Sequence, residues 1–182
     1  MRRNNSGFSM LELLIVIAII GIIAVFALPS AWTFVKGYRL HTDASAIASQ
    51  LNVTRFRATS QFTPYRLSVA ASTGTYSMDR MNTTYASPAS EVSLGLSQGI
   101  SFLTTCPASV KPGNIPSSVT AGSTAVYFNT RGLPVDTTGT PTNINVFYLK
   151  NVDNLYDAIT VSLGGRITVW NYNVATTTWI AR

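Results

Sequence analysis

Hydrophobic and polar positions divide the chain into three stretches with different periods. Residues 1–7, MRRNNSG, are short, polar and basic. From Phe8 to Leu28 the chain is apolar except at Ser9, Glu12 and Gly21, with an unbroken core LLIVIAIIGIIAVFAL from Leu13 to Leu28. About 20 apolar residues span a bilayer as a helix, so a transmembrane helix is predicted over 8–30. Arg2 and Arg3 would hold its amino end in the cytoplasm. Over 31–60 the period becomes helical and amphipathic. Leu40, Ala44, Ile47, Ala48, Leu51 and Ala58 fall on one stripe, while Arg39, Asp43, Gln50, Arg55 and Arg57 take other faces. With Pro29 tolerated as a kink, one helix runs from about Phe8 to Ser60. Pro64 ends any continuation.

From Tyr65 the pattern changes to strands, short runs of Val, Ile, Tyr, Phe and Thr bounded by Gly, Pro, Ser and Asn. Strands are predicted at 65–71, 75–79, 100–105, 124–129, 145–150, 157–163, 166–172 and 176–181. The stretches 80–98 and 106–123 read as Ser/Thr/Pro/Gly-rich loops. Gly164-Gly165, between two alternating runs, predicts a two-residue hairpin. The expected fold class is α+β, a long amino-terminal helix laid on an antiparallel sheet built from 61–182.

Composition fits an exported protein better than a cytosolic enzyme. Charged residues are 11% of the 182, against roughly 25% in ordinary domains. Ser, Thr and Asn take their place, and mean hydropathy is +0.22. Disorder is excluded, since it needs low hydrophobicity and high charge. A single cysteine, Cys106, can make no intrachain disulfide and no two-cysteine metal motif.

Glu12 does not suit a plain membrane anchor. A carboxylate within a spanning segment costs roughly 2.5–3.5 kcal/mol at the bilayer centre, and none of its helix neighbours can pair with it. A cleaved signal peptide, with Val25-Phe26-Ala27 as its cleavage site, leaves Glu12 equally unexplained. The stretch Gly7-Phe8-Ser9-Met10-Leu11-Glu12-Leu13-Leu14 before a long apolar helix resembles the class III leader of type IV pilins and type II secretion pseudopilins. This resemblance implies a leader of residues 1–7, cleavage by a prepilin peptidase between Gly7 and Phe8, and N-methylation of Phe8. Glu12 would then pair with a neighbouring subunit's amino terminus during filament assembly, since a buried charge demands a partner. Pro29 falls where many pilins carry a kinking proline.

Three further matches point within that family to the minor pseudopilin H (GspH) and FimT-like minor pilin group. Arg55 and Ala58 resemble the group's helix end, although Thr54 replaces an alanine. Phe128, Gly132 and Pro134 resemble its Phe-x-x-x-Gly-x-Pro turn, and Gly165-Arg166 its closing hairpin. The implied role is a minor subunit that initiates or caps a type II secretion pseudopilus. The alternative is a FimT-like minor pilin of a type IV pilus that contacts DNA during uptake. The implied partners are the prepilin peptidase, the major subunit, other minor subunits and the bacterial inner membrane. The carboxyl-terminal domain would lie in the periplasm.

No catalytic or cofactor site is predicted. The sole histidine, His41, sits on the helix while Cys106 lies in a distant loop, so neither makes a nucleophile–base pair. Asp153 and Asp157 bracket Asn154 but lack a calcium-loop pattern. For DNA, Arg166, Thr168, Trp170 and Tyr172 would share one strand face, with Trp179 and Arg182 nearby, and arginine with aromatics can hold single strands. In that hairpin a threonine, Thr168, stands where the group's Gly-Arg-x-Arg motif has its second arginine. The formal net charge of +6 says less than it seems. Arg2 and Arg3 would leave with the leader, and Glu12 would lie in the membrane.

Overall fold

A computed structural model describes residues 9–86, 88–106, 110, 122–142 and 144–182; the side chains of 26–30 are outside this description. The chain divides into two units, Met1–Val35 and Lys36–Arg182. Helix α1 is Met10–Ser60. It ends where Phe62 takes a left-handed conformation, φ 51°, and Pro64, which has no amide hydrogen to donate, follows two residues on.

Among the described residues the second unit holds ten strands. They are β1 (Tyr65–Ala70), β2 (Thr75–Arg80), β3 (Ala89–Gly95), β4 (Ile100–Leu103), β5 (Ala125–Phe128), β6 (Pro134–Val135), β7 (Asn145–Asn151), β8 (Tyr156–Val161), β9 (Ile167–Asn173) and β10 (Thr178–Ala181). All eight predicted strands are present, with ends trimmed or shifted by one or two residues. The expectation of one sheet is corrected, for there are two antiparallel sheets of five. Their orders are β3-β2-β1-β5-β6 and β10-β9-β8-β7-β4.

The predicted apolar stripe of the helix is the core. Leu40, Ala44, Ile47, Leu51 and Ala58 are fully buried and Ala48 nearly so. They pack with Tyr65, Leu67 and Met78 from the first sheet and with Phe147, Leu149 and Ile159 from the second. A second cluster joins Val146, Tyr148, Ala158, Tyr172 and Trp179. The strands β7 and β8 contribute to both clusters, so both their faces are covered. In β7 this leaves the unbroken apolar run Val146 to Leu149, whereas β8 also carries the buried polar residues Asp157 and Thr160.

Strand β3 corrects the loop expected over 80–98. Only one of its seven residues is half-buried, so its composition carries no apolar alternation. The register shifts beside Met78 and Asp79, where Met78 faces Val92 and Asp79 faces Ser90. The extra residue, Glu91, accepts a 2.8 Å hydrogen bond from the Tyr65 hydroxyl and pairs with Arg57 near the helix end. A bulge thus aims the single carboxylate of this edge strand at the helix.

Candidate functional site

Two features hold residues singled out by the sequence: the apolar start of α1, and the end of the domain where its two glycine turns meet the helix.

In the first unit, Gly7 and Phe8 lie outside the described residues, as does the Pro29 side chain. Glu12 lies in the first turn of α1, and its amide donates to the Ser9 carbonyl at 3.0 Å. It is exposed. Every large apolar side chain from Met10 to Val25 is also exposed, by 42–87%. A helix that is apolar all round belongs inside a core or a bilayer. Among the described residues no helix is long and apolar enough to cross a membrane; the expected span, 8–30, reaches past the described side chains at both ends.

In the second unit, Arg55 projects from α1 into two turns. Its Nε donates to the Gly132 carbonyl at 3.0 Å and its Nη1 to the Gly165 carbonyl at 2.9 Å. Both glycines are left-handed, at φ +74° and +76°, and both are packed too closely for a side chain. A Cβ on Gly132 would meet Thr59 Cγ2 at 2.9 Å, and one on Gly165 would meet the Gly132 carbonyl oxygen at 2.9 Å. The helix end, the Phe128–Pro134 turn and the Gly165-Arg166 hairpin therefore converge on one guanidinium. Sequence reading placed Arg55 on an outer helix face and missed this role, although all three resemblances pointed to this junction.

The Gly164-Gly165 turn is also corrected. Val161 and Ile167 form the last strand pair. The Gly165 amide donates to the Ser162 carbonyl at 2.7 Å, and the Ser162 amide to the Arg166 carbonyl at 2.9 Å. Only Gly165 of the two glycines has positive φ, whereas a two-residue type I′ turn requires it at both central positions. The hairpin is the longer form, closed by a left-handed glycine bulge.

Of the residues expected on one face of β9, Arg166, Thr168 and Trp170 line one depression of about 230 Å³ with Ile144, Thr160 and Ala181. The Trp170 indole N–H is spent on the Thr160 hydroxyl at 2.9 Å. Tyr172 is buried instead, its ring 5.2 Å from that of Trp179, and Trp179 is itself 1% exposed. Arg182 is exposed, with its amide donating to the Val169 carbonyl at 2.9 Å.

The remaining polar residues serve the fold. His41 Nδ1 and the buried Asp157 carboxylate are 2.6 Å apart, and Asn171 donates to the other carboxylate oxygen at 2.8 Å. Asp153 pairs with Lys36 at 2.9 Å. The half-buried Cys106 thiol donates to the Val110 carbonyl at 3.4 Å. Burial pushes its pKa up, against a smaller opposing effect of the hydrogen bond with Tyr148. Among the described residues no group of three or more His, Cys, Asp or Glu side chains could hold a metal ion.

Residues 2–28 match the prokaryotic N-terminal methylation motif. The long helix on antiparallel sheets matches the minor pseudopilin EpsH of the type 2 secretion system of Vibrio cholerae, with a TM-score of 0.52 at 7% identity. That match covers 73% of this chain and 97% of EpsH. The chain therefore has a pilin-like fold behind an N-terminal methylation motif. The chain is 42% identical over 65 residues to the type II secretion system protein H of Xanthomonas campestris pv. campestris, covering 36% of this chain and 38% of that relative. It therefore spans well under half of the relative's length. The type IV minor pilin FimU of Pseudomonas aeruginosa has a TM-score of 0.49 at 15% identity, covering 74% and 90% of the two chains. Within this fold the Arg55 junction ties the helix to two glycine turns.

Proposed function

We propose that this chain is a pseudopilin, a minor subunit of a type II secretion pseudopilus that initiates or caps assembly. It is inserted in the inner membrane, cut between Gly7 and Phe8 by prepilin peptidase, and methylated at Phe8. The observation that carries this reading is the exposed apolar surface of Met10–Val25 with one carboxylate, Glu12, near its start. Such a surface needs lipid before assembly and other apolar helices after it. In a filament core, the amino terminus of a neighbouring subunit supplies the cation that Glu12 lacks. Arg2 and Arg3 orient the helix with the folded domain on the periplasmic side. Partners are the peptidase, the major pseudopilin and other minor subunits, and Pro29 bends the helix within the bundle.

Mass spectrometry of the protein from its own membranes tests this directly. The expected amino terminus is N-methyl-Phe8; an intact Met1 or a cut after Ala27 overturns the reading. Gly7→Ile should retain the leader and abolish secretion. Glu12→Val should leave membrane insertion intact while reducing co-purification with the other subunits, and unchanged assembly would remove the pairing role.

The depression that Arg166 shares with Trp170 favours a second reading, DNA contact as a type IV minor pilin. It requires binding that weakens as salt rises and is lost in Arg166→Ala.

A further inference from the structure

A second depression, of about 350 Å³, lies beside the carboxyl-terminal end of α1 and is lined by Asn52, Arg55, Phe56, Thr59 and Arg131. Its charge is uncompensated. Lys36, Arg57 and Arg66 each pair with a carboxylate; among the described residues Arg55 and Arg131 do not, nor do Arg39, Arg80, Lys150, Arg166 and Arg182, but Arg55 and Arg131 line one depression together. The two carbonyls that Arg55 holds carry no formal charge, so its guanidinium keeps its full positive charge. The depression's apolar member, Phe56, is 69% exposed. Two guanidiniums suit a planar carboxylate, which they can grip by paired N–H donors. Asn52 Nδ2 gives one N–H to the Ala48 carbonyl at 3.1 Å and has a second to offer, whereas the Thr59 hydroxyl proton is spent on the Phe56 carbonyl at 2.8 Å.

We propose that this depression docks an Asp- or Glu-bearing segment of a neighbouring filament subunit, with apolar residues of that segment covering Phe56. The proposal rests on the reading that the chain assembles with other subunits. Arginine and aromatics beside each other, with Lys and Glu absent, are the composition of a protein–protein interface core. A nucleic-acid strand instead needs a track that follows successive phosphates, and one local depression is not such a track.

The test places the photocrosslinker p-benzoylphenylalanine at Phe56 of the full-length chain, in cells with a working secretion system. N-methylation of Phe8 is measured on the same material. The expected product is an adduct with another pseudopilus subunit whose crosslinked peptide contains Asp or Glu. Arg131→Glu should lower adduct yield about tenfold or more at unchanged protein level and unchanged Phe8 methylation. Arg131→Lys should lower it less, and changing the partner's carboxylate to Lys should restore the Arg131→Glu adduct. No subunit adduct despite methylated Phe8 overturns the docking site alone. So does an adduct with nucleic acid, or one indifferent to Arg131→Glu. Unprocessed Phe8 removes the assembly reading, and this proposal with it.

Discussion

The Arg55 guanidinium donates through Nη1 to the Gly165 carbonyl at 2.9 Å, joining residues 110 positions apart. With the bond to the Gly132 carbonyl, one side chain ties the helix to one turn of each sheet. Both glycines are buried, so their carbonyls have no water to fall back on. Arg55→Met should therefore destabilise the domain by about 2–4 kcal/mol, the cost of two buried acceptors losing a charged donor. Arg55→Lys should recover part of the loss, since an ammonium cannot span both carbonyls in the same plane. Urea unfolding of the purified chain in detergent reads both.

The two adjacent glycines of the β8–β9 turn should respond differently to the same substitution. Gly165→Ala combines positive φ with a 2.9 Å approach to the Gly132 carbonyl oxygen, while a Cβ on Gly164 meets nothing within 4 Å. Gly165→Ala should cost about 1–3 kcal/mol, and Gly164→Ala should stay within roughly 0.5 kcal/mol of the parent. Equal effects would mean that the turn has rearranged. Thermal midpoints of the two variants decide it.

Two ion pairs connect the helix to the second sheet and differ in burial. Asp157 is 1% exposed and bonded to His41 and Asn171, whereas Lys36 and Asp153 are 41% and 32% exposed. His41→Ala strips a buried carboxylate of one donor and should cost about 1–3 kcal/mol. Lys36→Ala should cost less than about 1 kcal/mol and vanish at high salt. Denaturation at low and high ionic strength separates the two.

The Cys106 thiol should be slow to react. Burial raises its pKa, so the reactive thiolate forms at higher pH than for a free cysteine. At pH 8, alkylation by iodoacetamide should be about tenfold slower in the folded chain than in urea. As pH rises, the folded-state rate should climb later than that of the unfolded chain. Equal rates in both states would show that the thiol is freely exposed.

How much was legible from sequence follows from how local each signal is. The core stripe from Leu40 to Ala58 was readable because helical period and burial coincide at every position of it. β7 was readable because a strand buried on both faces is a run of large apolar residues, Val146 to Leu149; in β8 the β-branched Ile159, Thr160 and Val161 carried the signal. β3 was not, because an edge strand with one half-buried residue has little reason to be hydrophobic. The Gly164-Gly165 pair announced a turn correctly, but its type depended on Ser162 and Arg166 closing the hairpin.

By itself the sequence determined the amino-terminal motif around Gly7, Phe8 and Glu12, the helix, and the existence of eight strands. These depend on residues close together in the chain. Tertiary structure decided that the strands form two sheets, that Tyr172 and Trp179 turn inward, and that Arg55 is a clasp. A guanidinium on an outer helix face gives no sign of its partners until folding brings Gly132 and Gly165 within 3.0 Å of it. Unpaired backbone carbonyls carry no sequence signature, because every residue has one.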